Sequence, residues 1–140
     1  MKLYHGTAAI FGHSIERRGL DAEGVPEPNM GKSSYSAPGY VYFTNDVKLA
    51  EMFACGMASK VGIVKGQIFE ADSREVSIEE DPALPGGRSW RHRGSVPFDQ
   101  LKAHKMFDCK TMIKELDKLN ALMGPPKRVN LADFPPPLPR

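Results

Sequence analysis

Two short segments of the sequence place a histidine and a tyrosine among apolar, β-prone residues. His5 lies within Leu3–Thr7 and Tyr42 within Tyr40–Thr44. This pattern is typical of strands that each deliver one functional side chain to a cleft. The sequence therefore predicts two strands whose histidine and tyrosine line one pocket. In the alternative interpretation, both are ordinary strand residues.

Alternation along each strand predicts which side chains share a face. Tyr42 points the same way as Tyr40 and Thr44, whereas Val41 and Phe43 face the core. On the first strand, Gly6 has no Cβ, so another backbone or a ligand can approach it closely. Its neighbours His5 and Thr7 point to the opposite face.

Charged residues follow in the second half of the chain. Glu79, Glu80 and Asp81 form an acidic run, and Ser89–Arg91 places Trp90 beside arginine. A carboxylate can stabilise a developing positive charge, and an arginine beside an aromatic ring can hold a diphosphate or clamp a second substrate. Alternation puts Glu79 and Asp81 on one face and Glu80 on the other. In the alternative interpretation, the acidic run is a solvated turn and the arginines form a solvated basic face.

The remaining pattern predicts the elements that position these groups. Helices are expected over 8–18, after a cap at Thr44 or Asn45, and over 110–123, where apolar residues recur at helical spacing. Strands are expected over 61–71, 75–78 and within 95–109. Residues 21–38 are predicted to form a long loop. We expect one domain over 1–124 and a Pro-rich tail over 125–140.

The overall composition narrows the class of protein. Of the 140 residues, 41% are hydrophobic and 26% are charged. These fractions are typical of a soluble globular domain. The net charge of +2 does not favour nucleic-acid binding. No apolar run reaches membrane-spanning length, and no leader precedes the first strand. We expect a cytoplasmic monomer in which Cys55 and Cys109 are free thiols.

In this order, the Tyr-His-Gly-Thr opening, the Tyr-Phe-Thr strand, the acidic Asp-Pro segment and Ser89–Arg91 resemble the ADP-ribosyltransferase superfamily. They are most similar to the small rifamycin (rifampin) ADP-ribosyltransferase type, over residues 3–98. The resemblance implies an α+β fold in which two small, mostly antiparallel sheets form an NAD cleft with flanking helices. It implies a mono-ADP-ribosyltransferase that cleaves NAD, as co-substrate, at the nicotinamide–ribose bond and needs no metal.

The resemblance also implies roles for residues. His5 would bind the adenosine-side ribose or a nearby backbone group, Tyr42 would stack on nicotinamide, and the catalytic acid would be Asp81 first and Glu80 second. The cofactor-binding set comprises His5, Gly6, Thr7, Tyr42, Phe43, Trp90 and Arg91. The chain has no Gly-x-Gly-x-x-Gly fingerprint, so NAD would not be held as in a Rossmann fold.

Departures from the resembled pattern leave the acceptor open. The loop between His5 and Tyr42 is longer, the stretch from Pro82 to Ser89 is shorter, and Trp90 replaces tyrosine. A rifamycin-type antibiotic (an antibiotic-resistance activity), another small molecule, a protein side chain or a nucleic-acid group are all candidates. The alternative functions are NAD hydrolysis, RNA 2′-phosphotransfer, and an inactive transferase fold that binds a partner through its loop or tail.

Overall fold

The computed structural model describes residues 1–22 and 39–123, which form an α+β fold. Its strands and helices in chain order are β1 (Lys2–Ala8), α1 (Gly12–Arg18), β2 (Tyr40–Thr44), α2 (Val47–Lys60), β3 (Lys65–Asp72), β4 (Glu79–Glu80), β5 (Ser89–Arg93), β6 (Lys102–Asp108) and α3 (Lys110–Met123). Short 3₁₀ turns cover Ala9–Phe11 and Phe98–Gln100. The strand expected over 75–78 is instead a turn that leads into β4. The predicted loop from residue 23 and the predicted tail over 125–140 lie outside the described residues.

The six described strands form a single open antiparallel sheet in the order β4-β5-β2-β1-β3-β6. The α+β class is confirmed, whereas the expectation of two small sheets is replaced by one continuous sheet. The junction between β1 and β2, called the seam below, is its narrowest connection. Only Tyr4 and Thr44 are in register there, whereas β1 and β3 pair over their whole length, from Lys2–Asp72 to Ala8–Gly66.

Helix α2 lies on one face of the sheet, mainly over β1 and β3. It approaches so closely that a Cβ on Gly6 would lie 2.1 Å from the carbonyl oxygen of Ala50. The opposite face packs against α1 and the turn before it, where Phe11 and Ile15 are almost fully buried with Phe69 of β3. Helices therefore cover both faces of the sheet at β1 and β3.

Local signals explain where the elements begin and end. Asp46 caps α2, accepting hydrogen bonds from the backbone N–H groups of Lys48 (3.0 Å) and Leu49 (3.4 Å), as a short acidic side chain does at a helix start. Thr44, one of the two expected caps, instead accepts from the N–H of Asp46 at 3.1 Å. Gly19 ends α1 at a φ of 76°. Glycine tolerates this left-handed conformation without strain.

The two cysteines differ from the sequence-based expectation of free thiols. Cys55 of α2 and Cys109, directly before α3, are joined in a disulfide with Cα atoms 5.3 Å apart. Both are buried. The expectation was wrong because a separation of 54 residues gives no local sign that α2 and the end of β6 meet. Within residues 1–22 and 39–123, no helix is long and apolar enough to cross a membrane.

Candidate functional site

The seam brings His5 and Tyr42 together. The Nδ1 of His5 lies 2.7 Å from the carbonyl oxygen of Tyr42. Since a carbonyl can only accept a hydrogen bond, Nδ1 carries the proton. The imidazole also meets the ring of Phe43 edge-on, with centroids 5.9 Å apart. The side chain of His5 thus connects two strands whose backbones share a single registered pair.

The two rings do not line one pocket as predicted. Directly opposite residues of an antiparallel pair share a face, and Tyr4 is opposite Thr44. Thr44 shares its face with Tyr42 by alternation, whereas His5 contacts Phe43 on the other face. His5 therefore holds Tyr42 through its backbone, and the phenol of Tyr42 projects from the side of the sheet that carries α2.

On that side, β2, β5 and β4 present five side chains, called the tyrosine–arginine face below: Tyr40, Tyr42, Glu79, Arg91 and Arg93. The register puts Arg91 opposite both Tyr42 and Glu79. Arg91 Nε donates to Glu79 Oε1 at 2.9 Å, and its guanidinium lies 4.0 Å from the centroid of the Tyr40 ring. The rings of Tyr40 and Tyr42 are 6.5 Å apart and tilted by 48°.

Arg91 is the centre of this face. Desolvation alone lowers the pKa of its guanidinium, but hydrogen bonds with Glu79 and with Tyr42 outweigh that effect and raise the pKa above its ordinary value. Only 19% of the side chain is exposed, against 57% for Glu79. A fixed, permanently charged planar group thus lies between two tyrosines, where it can hold an anion or position an aromatic ring.

The three acids differ in where they point. Asp81 is on the Tyr42 side but only 2% exposed, and both its oxygens are engaged: Oδ2 accepts from the Ser89 hydroxyl (3.2 Å) and Oδ1 from the Ala83 N–H (2.9 Å). Glu80 is opposite Trp90, on the other face, and accepts from the Gly87 N–H at 3.1 Å. The predicted alternation of faces is therefore observed, and Glu79 is the acid that lies beside Arg91.

Four other predicted binding residues lie in packed surroundings. The backbone of α2 covers Gly6. The sequence predicted that either another backbone or a ligand approaches this glycine, and in the structure it is a backbone. Thr7 and Phe43 are buried. Trp90 is half-buried on the His5 side, and neither its indole N–H nor the Thr7 hydroxyl has a hydrogen-bond partner among the residues that the structure describes. These positions contact the core more than solvent.

Sequence reasoning did not name Tyr40 or Arg93 as site residues. Tyr40 is two residues from Tyr42, Arg93 is two residues from Arg91, and the register places Tyr40 opposite Arg93. The same alternation that assigned a face to Tyr42 was the available signal. Only the pairing of β2 with β5, which is not a local property, shows that the two pairs meet.

Elsewhere, α2, β6 and α3 enclose a groove of about 380 Å³ that none of the predicted site residues lines. Its lining residues are Glu51, Cys55, Phe107, Asp108, Thr111, Met112 and Glu115. Among the residues that the structure describes, no group of three His, Cys, Asp or Glu side chains could hold a metal ion.

Comparison with known proteins gives no assignment: no family model matches the chain, and no curated protein matches its sequence.

Proposed function

We propose that the protein is a mono-ADP-ribosyltransferase that cleaves NAD at the nicotinamide–ribose bond. The observation that supports this most directly is the arrangement at the seam. His5 is bonded to the Tyr42 carbonyl, and Arg91 lies directly opposite Tyr42 on β5 and is bonded to Glu79. The resemblance places His5, Tyr42 and Arg91 at the NAD site. These three residues span 86 positions of the sequence and lie next to one another in the fold.

In the proposed reaction, the cationic nicotinamide is already a good leaving group, so no strong general acid is required. The bond breaks through an oxocarbenium-like centre on the ribose, which a nearby carboxylate stabilises. Tyr42 stacks on the nicotinamide ring and sets its angle. Arg91 holds Tyr42 and offers its remaining donors to the diphosphate.

The acid in this scheme comes from the run Glu79–Asp81. Asp81, the first choice from sequence, lies on the Tyr42 side, but NAD reaches it only if the turn closed by its bond to Ala83 moves. Glu80, the second choice, points away from Tyr42. Glu79 is exposed and on the correct side. Replacing each in turn with its amide distinguishes them, because only the acting carboxylate is needed for nicotinamide release.

A second candidate, an inactive transferase fold that binds a partner, is favoured by one observation. Both oxygens of the 2%-exposed Asp81 already have donors. A carboxylate held in this way stabilises a turn without contributing to catalysis. In this case Asp81→Asn lowers stability in a protein that releases no nicotinamide.

The test of the proposed function is nicotinamide release from NAD by the purified full chain, with and without a rifamycin. Release that depends on the drug supports the transferase and identifies its acceptor class. Release indifferent to the drug supports NAD cleavage and directs the search to other acceptors, with protein side chains first. No release, together with no NAD-induced shift in melting temperature, contradicts the proposal.

A further inference from the structure

The outer end of the tyrosine–arginine face, beyond Tyr42, consists of Tyr40 on β2 and Arg93 directly opposite on β5. The Arg93 guanidinium lies 5.8 Å from the centroid of the Tyr40 ring, and that of Arg91 lies 4.0 Å from the same centroid. One aromatic ring is therefore flanked by two guanidinium groups. Such an arrangement favours a ligand that is both planar and negatively charged.

This end of the face is held in place before any ligand arrives. The Gly94 N–H donates to the Gly39 carbonyl at 2.9 Å, closing the β2–β5 ladder one residue beyond Tyr40 and Arg93. Arg91 is fixed from the other side by Glu79. Because ordering a side chain costs free energy on binding, the paired backbone and the fixed Arg91 beside Tyr40 favour affinity, and Arg93, which is exposed, is the side chain that the ligand has to order.

The charges on this face are unequal. Glu79 neutralises Arg91, whereas Arg93 is exposed and, within residues 1–22 and 39–123, forms no ion pair with a carboxylate. The planar guanidinium fork of Arg93 can bind a carboxylate or phosphate in a bidentate manner. A cationic group placed here would meet Arg93, which has no carboxylate partner among the described residues, so this end disfavours positively charged ligands.

We propose that Tyr40 and Arg93 bind a planar aromatic anion, and that this ligand is the acceptor of the transfer reaction. The ring of Tyr40 is 6.5 Å from that of Tyr42, so a ligand on Tyr40 would lie next to a nicotinamide stacked on Tyr42. A hydroxyl oxygen of this acceptor, separate from its anionic group, would bond to the anomeric carbon of the nicotinamide ribose. The carbon–nitrogen bond breaks, nicotinamide leaves with the bonding electron pair, and the oxygen's proton passes to solvent. The role as acceptor rests on the proposed function, whereas the binding of planar anions does not.

Three probes separate planarity from charge: 1-naphthoate (planar anion), cyclohexanecarboxylate (non-planar anion) and 1-naphthylmethylammonium (planar cation). Their dissociation constants are measured by equilibrium dialysis against the full chain. We expect 1-naphthoate to bind at least about tenfold more tightly than either of the other probes. We expect Arg93→Gln and Tyr40→Leu each to weaken 1-naphthoate binding about tenfold.

Arg74→Gln is the matched control, because it removes the same charge from an 84%-exposed side chain that pairs with Asp72 on another part of the sheet. It should leave 1-naphthoate binding unchanged. Equal weakening by Arg74→Gln and Arg93→Gln would reveal an effect of net charge and overturn the proposal, as would tight binding that survives Arg93→Gln. Since Arg93 is exposed, that variant is expected to fold even if Tyr40→Leu does not.

The same experiment separates the two proposals. If 1-naphthoate binds through Arg93 but the chain releases no nicotinamide from NAD, the planar-anion site stands and the transferase function fails. If nicotinamide is released and Arg93→Gln leaves 1-naphthoate binding unchanged, the transferase function stands and the proposed acceptor site is wrong.

Discussion

Replacing Gly6 with alanine distinguishes a packing role from a ligand-binding role for this glycine. A Cβ at this position would lie 2.1 Å from the Ala50 carbonyl oxygen and 3.0 Å from the Ala54 nitrogen, both of them backbone atoms of α2. Ordinary van der Waals contact begins at 3.4 Å. Helix α2 must therefore shift by roughly 1 Å, or the strand must bend, to admit the methyl group. No side-chain rotation relieves a clash with helix backbone.

The magnitude follows from the cost of overpacking a well-packed site, which is typically about 1–3 kcal/mol. Because the clash is with backbone, we place Gly6→Ala near the upper end, at about 2–3 kcal/mol of unfolding free energy. For a chain of this size that corresponds to a fall in melting temperature of roughly 8–12 °C. The shift of α2 also disturbs the seam, since β2 leads directly into that helix.

Gly66→Ala is the matched control on the neighbouring strand, under the same helix. There the added Cβ would meet the Ala54 Cβ and the Cys109 sulfur at 3.0 Å and the Phe107 ring at 3.1 Å, so its neighbours must give by only a few tenths of an ångström, against more than 1 Å at Gly6. We expect a change of less than about 1 kcal/mol, partly offset by the lower chain entropy of alanine in the unfolded state.

Thermal and urea unfolding of the two variants and the wild type measure these differences. A melting temperature of Gly6→Ala within about 2 °C of the wild type would show that α2 does not exclude a Cβ at this position. A variant that keeps its stability and loses only NAD affinity would assign Gly6 to ligand binding instead.

Three further predictions concern other parts of the fold. Removing the disulfide with Cys55→Ser/Cys109→Ser should lower the unfolding free energy by about 4 kcal/mol, the chain-entropy value for a separation of 54 residues. Urea titration measures this difference. Equal unfolding midpoints for the wild type with and without reductant would contradict it. Hydrogen bonds from the Arg74 side chain and backbone hold the pKa of Asp72 well below its usual range. The resulting stabilisation is present above the unfolded pKa of about 4 and is lost as pH falls through the lower folded value. Asp72→Asn should therefore destabilise the protein at pH 7 and much less at pH 2, and a pH-independent effect in urea titrations would refute the assignment. Arg91→Gln should release the Tyr42 ring and, if the wild type cleaves NAD, reduce the turnover of NAD about tenfold. The same variant should lose little stability, because this side chain is paired to an exposed acid and such pairs contribute little to folding; turnover equal to the wild type would exclude Arg91 from the site.

Local patterns predicted much of the architecture. Alternation in Tyr40–Thr44 assigned both faces of β2, and the burial of Val41 and Phe43 agrees with it. Helical spacing located α2 and α3, and Gly19 marked the end of α1. These are short-range properties, in which the identity of a residue and its near neighbours decide the conformation.

The errors concern contacts between distant segments. The strand order, the single sheet, and the contact of Cys55 with Cys109 depend on which elements meet, and local periodicity carries no information about that. His5 was expected to share a pocket with the Tyr42 ring, but the register at the seam turns its imidazole to the other face. The burial of Asp81, the first-choice acid of the resemblance, also depends on contacts outside its own segment, because the Ser89 hydroxyl and the Ala83 N–H satisfy its carboxylate.

In the proposed function, Tyr42 is held at the seam by His5 and Arg91 and positions NAD for cleavage. The most direct test measures initial rates of nicotinamide release for the wild type, Tyr42→Phe and Tyr42→Ala at saturating NAD, after melting curves show that each is folded. The stacking role predicts that Tyr42→Phe, which keeps the ring, retains most of the rate and that Tyr42→Ala loses at least about tenfold. Release from the wild type with an unchanged rate in Tyr42→Ala would show that the Tyr42 ring does not position NAD.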